Sequence, residues 1–455
     1  MSLALPRRRF LSLSATSLAL ALSSDRRAAA MGRTPLGGAL SLRVPWPTGS
    51  LDPHDLRDPL AALFGAAVVD PVYALDAAGA PYPALAAGMP VREGGETVVR
   101  LREGLRTARL VPLDGRDLVF SVERARARGA VAVLAEIPRP AVHKSDALAV
   151  VFGKVDPQHL ARALASPLVA LVPRRFTPTA PDGTGAFRAD VSATGLTLTR
   201  SLVAARGPAY LDGIQVFPAE DLSSSLRAFE AERDDLGWLG LGLHDPRRGA
   251  VRFELGRAAW VVLVTGPDSG ASGAPGAAQR LVDAIPPERL AHLGLGPLPP
   301  ASGDPAWGGP PAELYVDETS PHLVEVARAV APVLSRPGHE LTVTPVPRDA
   351  LRRRLKGKPG LAVDLVRPVG PHAVHTLLAL ATAEDPARGR DVARAPPRVA
   401  ASAGARTLTG LLRVGVIGDL RVAGGVMPEL ALARSTSGEG WDLGATFHRP
   451  PRKAP

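Results

Sequence analysis

Two kinds of hydrophobic spacing alternate along the chain, and one segment shows both most clearly. A short apolar run at Leu314–Val316 predicts a strand, and Ser320 followed by Pro321 offers the N-cap and first position of a helix. Helical spacing follows at apolar positions 323, 326, 327, 330, 333 and 334. The helix should end at Pro337-Gly338, before a second strand at 340–346. Such a crossover joins parallel strands, so the pattern favours an α/β fold with a parallel or mixed sheet.

The same alternation continues through the rest of the chain. Further strands are predicted at 41–47, 96–104, 146–153 and 195–202. Helical spacing predicts helices within 57–75, where the pattern stops near Asp70-Pro71, and at 114–129. Stretches rich in Gly, Ser, Ala and Pro predict loops or joints between lobes at 266–278, 296–312 and 386–406.

The first 30 residues have the pattern of an export signal. They contain the basic run Arg7-Arg8-Arg9, followed by uncharged residues up to Ser24. This run is too short to cross a membrane, which needs about 20 mostly apolar residues. A basic start, a short apolar centre and the small residues Ala28–Ala30 are typical of a signal peptide cleaved before Met31.

The basic run also indicates an export route. Arg7-Arg8-Arg9-Phe10-Leu11 resembles the R-R-x-F-L core of twin-arginine signals, and Arg26-Arg27 beside the cleavage site fits that route. We therefore expect residues 1–30 to be a signal peptide recognised by the twin-arginine translocase. A general secretory signal and an ordinary amphipathic first helix remain as alternatives.

Composition excludes several classes of protein. The chain has 455 residues, a formal charge of +10 and no cysteine. Without cysteine there can be no disulfide, thiolate metal site, cysteine nucleophile or lipid-modified N-terminal cysteine. The densest basic cluster, at 352–358, suits the solvated face of a helix better than a nucleic-acid or membrane anchor. The length predicts at least two lobes.

Enzyme motifs are missing from the sequence. It contains no G-x-S-x-G, H-E-x-x-H, P-loop or G-x-G-x-x-G pattern. His372 and His375 are three residues apart, but two ligands are too few for a metal site. Asp234 and Asp235 would point to opposite faces of a strand. We therefore expect no catalytic residue, metal or cofactor, and an exported hydrolase stays a minor alternative.

Several motifs in a fixed order resemble extracellular solute-binding proteins of family 5, the receptors of peptide, dipeptide and nickel ABC importers. The first of these motifs is Leu51-Asp52-Pro53, within PTGSLDPH. The others are Asp76 to Ala86, Leu101 to Gly104, Asp114 to Arg124, PDGTGAFRAD at 181–190 and the crossover within 313–365. The resemblance implies the two-lobed periplasmic-binding-protein fold, type II and cluster C-like, with mixed sheets, flanking helices and a hinge.

The resemblance also implies a division of the chain. Residues 31–258 would form lobe 1, in which an inserted subdomain would span about 60–175. Residues 259–385 would form lobe 2, and 386–455 would return to lobe 1 and end as a C-terminal tail. The chain looks shortened between Lys154 and Pro173 and again after Gly266.

One departure from the family pattern bears on the ligand. The segment that joins lobe 2 back to lobe 1, at 364–378, lacks the aromatic and acidic W..D.PDP sequence typical of the family. An acidic group at the cleft commonly meets the ammonium end of a peptide, so a peptide ligand is in doubt. The altered segment carries Arg367 and His372, which could meet an anionic ligand or lie on a surface loop.

A cleft between lobes needs apolar and aromatic walls with a few placed polar groups. The expected ligand-binding residues are Trp46, Thr48, Trp238, Trp260, Arg367 and His372. For each tryptophan, packing in the core is the competing interpretation.

The resemblance implies a monomeric receptor in the periplasm that binds a small molecule or peptide and hands it to an ABC permease of the inner membrane. Nucleic acid is not an expected partner. A degenerate member of the same fold that senses or scaffolds without transport is the alternative.

Overall fold

The structure is a computed structural model, and it describes residues 36–238, 247–303, 306–435 and 440–449. The signal peptide predicted at 1–30 lies outside the described residues. Within the described ranges, no helix combines the length and apolar character that a membrane crossing requires.

Strands and helices alternate along the described chain. The strands are β1 Ala39–Val44, β2 Tyr73–Leu75, β3 Pro81–Pro83, β4 Val91–Glu93, β5 Glu96–Arg100, β6 Ala141–Val142, β7 Ala149–Val151, β8 Phe187–Ser192, β9 Gly195–Arg200, β10 Gly213–Pro218, β11 Leu236–Trp238, β12 Val251–Thr265, β13 Leu295–Gly296, β14 Ala312–Asp317, β15 Leu341–Val346, β16 Gly360–Val366, β17 Val414–Val426, β18 Leu430–Arg434 and β19 Trp441–His448. The α-helices are α1 Pro59–Val68, α2 Gly115–Ala127, α3 Pro157–Ala163, α4 Leu222–Glu230, α5 Ala277–Asp283, α6 Pro321–Leu334, α7 Leu351–Arg354, α8 Ala373–Glu384, α9 Pro386–Arg394 and α10 Ala405–Leu408.

The crossover predicted around residue 314 is confirmed. β14 and β15 pair in parallel, with Leu314 opposite Val343, and α6 connects them. Ser320 occupies the N-cap position of α6 and Pro321 is its first residue, as the sequence pattern indicates, but the Ser320 side chain makes no capping hydrogen bond. β14 also pairs in parallel with β16, so the α/β fold with a mixed sheet is confirmed as well.

One sheet of eleven strands runs through the molecule. Its order is β15-β14-β16-β12-β17-β11-β1-β10-β9-β8, and β13 adds to β17. β12 and β17 have 15 and 13 residues, and they pair antiparallel from Val251 opposite Val426 to Val264 opposite Val414. These two strands form the continuous link between the half of the sheet around β1 and the half around β14.

The sheet separates two hydrophobic cores, and β12 contributes to both. Its alternate side chains show the strand period of two. Val261 and Leu263 belong to the core around β1 and α6, whereas Trp260, Val262 and Val264 belong to the core that includes α2 and α8. The pairing of β12 with β17 therefore also fixes which β12 side chains pack into the core on each face of the sheet.

Most predicted elements are present, and one stretch differs. The helix expected within 57–75 ends at Val68, close to the stop predicted near Asp70-Pro71, and β2 follows it. The stretch 386–406, expected as a loop, contains α9. Asp385 caps α9 by accepting a hydrogen bond from the Ala387 amide, and Pro386 is the first helical residue. This start signal was present in the sequence and outweighs the Gly- and Pro-rich composition.

The Gly-Thr-Gly turn of residues 183–185 has a packing role. The Gly185 amide donates to the Val68 carbonyl at the end of α1. A Cβ atom at Gly185 would lie 2.5 Å from the Ala67 carbonyl oxygen, which is closer than a real Cβ contact allows. The turn can approach α1 this closely only because residue 185 has no side chain.

We predict that Gly185→Ala lowers the free energy of unfolding by about 1–3 kcal/mol, because the added methyl group must displace backbone of α1. Chemical denaturation measures the effect. Gly88→Ala is the matched control, since a Cβ there has no neighbour within 4 Å. Equal stability of the two variants would contradict the close approach.

Candidate ligand-binding cleft

A cleft of about 260 Å³ lies beside the point where β12 crosses between the two halves of the sheet. Seven described parts of the chain form its walls: α1, residues 71–75 leading into β2, the turn at 165–167, the loop at Arg206, the β12 crossing, the segment after β16, and the β18–β19 hairpin. The described lining residues are Ala61, Ala62, Leu63, Ala66, Pro71, Ala74, Leu75, Ala165, Pro167, Arg206, Arg257, Ala258, Arg367, Pro368, Gly370, Pro371, Ser435, Gly440 and Trp441.

Helix α1 supplies a wall of small side chains. Asp58 caps it by accepting a hydrogen bond from the Ala61 amide, with Pro59 at the first position. The helix packs against β8, β12 and β19, which fixes its place beside the crossing. Ala62 and Ala66 on the cleft side occupy little volume, so they leave space for a bound molecule.

Arg367 is a buried cation on the wall that follows β16. Its side chain donates hydrogen bonds to the carbonyls of Pro53 and Asp55, and its amide donates to the Leu56 carbonyl. The residue is only 4% exposed, and burial lowers the pKa of its guanidinium. Arginine nevertheless stays protonated in proteins, so the wall carries a positive charge.

Arg257 reaches the cleft from the β12 crossing. The pairing of β12 with β17 shifts register on both sides of Arg257, and such bulges redirect a side chain. The guanidinium lies 4.8 Å from the ring centroid of Trp260 and 3.0 Å from a carboxylate oxygen of Asp419. The stacking and the ion pair hold Arg257 in one position.

Arg206 lies where the cleft meets a second cavity of about 280 Å³. One guanidinium nitrogen is 3.8 Å from Asp70, and another is 3.4 Å from the Tyr82 hydroxyl. Burial raises the pKa of Asp70, which also accepts a hydrogen bond from Thr184. Asp442 lies in the second cavity together with Asp70, so its wall differs in charge from the first.

A network of charged side chains underlies the cleft at the Leu51-Asp52-Pro53 motif. Arg124 binds both carboxylate oxygens of Asp52, at 2.7 and 2.8 Å. Burial raises the pKa of Asp52, but the hydrogen bonds and charge of Arg124 outweigh it and lower the pKa overall. The Asp52 amide donates to Asp58, the N-cap of α1. The motif therefore ties α2 to the start of α1.

His54 completes this network as a neutral side chain. Its Nδ1 faces Arg124, which can only donate, so its Nε2 must carry the proton donated to the Ala170 carbonyl at 2.9 Å. Burial lowers the pKa of His54 to about 4.

Comparison with known proteins identifies the fold. No family model matches the chain, and no curated protein matches its sequence. Among solved structures, DppA of Helicobacter pylori in complex with the peptide STSA has a TM-score of 0.67 at 14% identity, over 91% of this chain and 99% of that chain. AgaA of A. tumefaciens R10 in complex with agropinic acid has a TM-score of 0.65 at 14% identity, over 91% of this chain and 99% of that chain. NikA of Brucella suis in complex with Fe(III)-EDTA has a TM-score of 0.62 at 15% identity, over 90% of this chain and 100% of that chain.

This chain has the two-lobed periplasmic-binding-protein fold. Its structural neighbours are solute-binding proteins of family 5, so the resemblance inferred from the sequence motifs is confirmed at the level of fold. The neighbours DppA, AgaA and NikA each hold a solute and are binding proteins.

Within this fold, Trp46, Trp238 and Thr48 lie in the core of the half around β1. The two tryptophans pack edge to face, with ring centroids 5.0 Å apart. Both are 1% exposed. Thr48 is fully buried and donates to the Ser192 carbonyl. Trp238 ends β11, and the following residues 239–246 lie outside the described part of the chain.

The other three predicted residues have different surroundings. Trp260 is 1% exposed and packs in the opposite core, under Arg257. Arg367 lies on the cleft wall and is buried, which excludes a surface loop for this residue. His372 is exposed at the N-cap position of α8, next to the lining residue Pro371.

Sequence reasoning missed Arg206, Arg257 and Trp441 as cleft residues. Trp441 begins β19 and is held by a hydrogen bond from its Nε1 to the Thr446 hydroxyl. Nothing in the local sequence distinguishes these residues, because their role depends on contacts between segments far apart in the chain. In the described residues no group of three or more His, Asp or Glu side chains could hold a metal ion.

We predict that the buried histidines reduce stability as pH is lowered from about 6.5 to about 4, whereas buried carboxyls with a raised pKa, such as Asp58 and Asp70, act in the opposite direction. Burial holds the pKa of His54, His322 and His375 near 4, while the unfolded chain binds protons at its ordinary histidine pKa. Each such histidine lowers the free energy of unfolding by about 1.4 kcal/mol for each pH unit of acidification within this window. His54→Gln keeps a donor for the Ala170 carbonyl and should remove the contribution of one proton from the slope of unfolding free energy against pH.

Denaturant unfolding at a series of pH values measures this slope. His292→Gln is the control, because His292 is exposed. An unchanged slope in the His54 variant would show that His54 does not exclude a proton in the folded state.

Proposed function

We propose that this protein is the receptor of an ABC importer and binds a small solute between its two lobes. The observation that carries the proposal is the cleft at the β12 crossing, where small, aromatic and charged side chains from seven described segments meet. Closure of the lobes about β12 and β17 would bury the solute, and the closed form would deliver it to a permease. No bond is made or broken.

The solutes of the structural neighbours support a receptor without specifying its cargo. DppA holds a peptide, AgaA holds agropinic acid and NikA holds a chelated metal. Proteins of this fold thus bind different solutes, and residues of the cleft must determine the choice.

We also propose the lobe division implied by the sequence. Lobe 1 would comprise 31–258 with the inserted subdomain at about 60–175, lobe 2 would comprise 259–385, and 386–455 would return to lobe 1. The positions of β12 and β17 support this division, because the chain runs along β12 from residue 251 to residue 265 and comes back along β17.

The proposed place of action is the periplasm, reached through the twin-arginine route. We predict that replacing both Arg7 and Arg8 by lysine leaves the precursor in the cytoplasm, because the translocase reads the arginine pair. Cell fractionation and immunoblotting measure the mature protein in the periplasm. Replacement of Arg26 and Arg27 by lysine is the matched control and should leave export intact. Normal export of the first variant would contradict the twin-arginine assignment.

The receptor function predicts that the protein isolated from the periplasm carries a bound solute. Native mass spectrometry of the protein purified from its own periplasm should show a complex above the mature mass, with one small molecule released on mild denaturation. A protein that is bare in this experiment and shows no closure with any solute would instead favour a non-transport member of the fold.

A further inference from the structure

We propose that the cleft selects a small organic anion, whose carboxylate is bound by Arg367, Arg257 and Arg206. This proposal rests on the receptor function above and specifies the class of its ligand. The three guanidinium groups line one cleft, and no Asp or Glu is among its described lining residues. A guanidinium presents donors in a planar fork that matches a carboxylate, so the wall suits an acid and opposes an ammonium group.

Arg367 gives the strongest argument. Its side chain is buried, with 4% exposure. In the described part of the chain, no carboxylate oxygen lies within 4.0 Å of its guanidinium nitrogens. The nearby Asp52 is bound by Arg124, and Asp58 caps α1. Asp55 accepts the Arg57 amide. A buried cation without a direct ion pair is costly, and a ligand carboxylate in the cleft would supply one.

Arg257 and Arg206 reach the same cleft from other directions. Arg257 is already held by Trp260 and Asp419, so it loses little conformational entropy when a ligand binds. The contacts of Arg206 are longer, at 3.8 Å to Asp70 and 3.4 Å to Tyr82, and its side chain is 45% exposed. Arg206 can therefore turn to an incoming carboxylate without breaking a close ion pair.

The remaining walls limit the size and polarity of the ligand. Ala62, Ala66 and Pro71 face the carbon skeleton, and Trp441 offers an aromatic surface. A volume of about 260 Å³ lies just below the usual range of ligand sites, roughly 300–1,000 Å³. An acid with a short carbon chain fits these walls.

The test uses three probes that share a four-carbon chain and differ in charge: succinate, succinamide and putrescine. Thermal unfolding and calorimetry of the mature protein should show binding of succinate, with much weaker effects of the neutral diamide and the diamine. Equal effects of the three probes, or a preference for succinamide or putrescine, would overturn the anion assignment.

Arg206→Gln identifies the group that binds the carboxylate. Loss of a charge-assisted hydrogen bond should weaken succinate binding by about 10-fold to 100-fold. Arg206→Lys should restore binding only in part, because lysine cannot form the paired hydrogen bonds. Arg139→Gln is the matched control, because Arg139 is 84% exposed and lies outside the cleft lining. This variant should bind succinate with wild-type affinity. Wild-type affinity in the Arg206→Gln variant would contradict a role for Arg206.

The solute released in native mass spectrometry separates this proposal from the receptor function. A released acid with net negative charge supports both. A released neutral, zwitterionic or cationic solute keeps the receptor function and overturns the anion assignment, and the carboxylates Asp70 and Asp442 of the neighbouring cavity would then be the candidates for an ammonium group. A protein that carries no solute and binds none of the three probes contradicts both the receptor function and the anion assignment.

Discussion

The antiparallel pairing of β12 with β17 is the interaction on which the rest of this structure depends. It joins the two halves of the eleven-stranded sheet, and side chains of β12 enter both hydrophobic cores. The register shifts around Arg257 interrupt the ladder beside the cleft. The same register shifts that interrupt the ladder at the crossing therefore direct a guanidinium toward the cleft.

The charged turn at residues 51–58 is the second constraint. Asp52 is held by Arg124 of α2, Asp58 caps α1, and the carbonyls of Pro53 and Asp55 accept hydrogen bonds from Arg367. This turn thus connects the α1 wall of the cleft to the Arg367 wall through buried hydrogen bonds. The Leu-Asp-Pro motif has a structural reason in this chain, because it positions both α1 and the cation beside it.

The fold and the ligand preference depend on different residues. At 14% identity to DppA and AgaA, the chain keeps the overall fold, with TM-scores of 0.67 and 0.65. Among the described lining residues, the charged side chains of the cleft are three arginines that none of the strand or helix periods requires. Specificity can therefore change while the sheet and its two cores stay the same.

Local sequence determined the elements and their boundaries. The crossover from β14 to β15, the Asp58 cap of α1, the start of α6 at Pro321 and the alternation in the strands all follow from neighbours within a few residues, where propensity and capping act. Tertiary structure alone decided which residues meet. It placed Trp46 against Trp238 in the core, and it brought Arg206, Arg257 and Arg367 to one cleft. These arginines are up to 161 positions apart in the sequence. Their meeting depends on strand order and register, which no local pattern encodes.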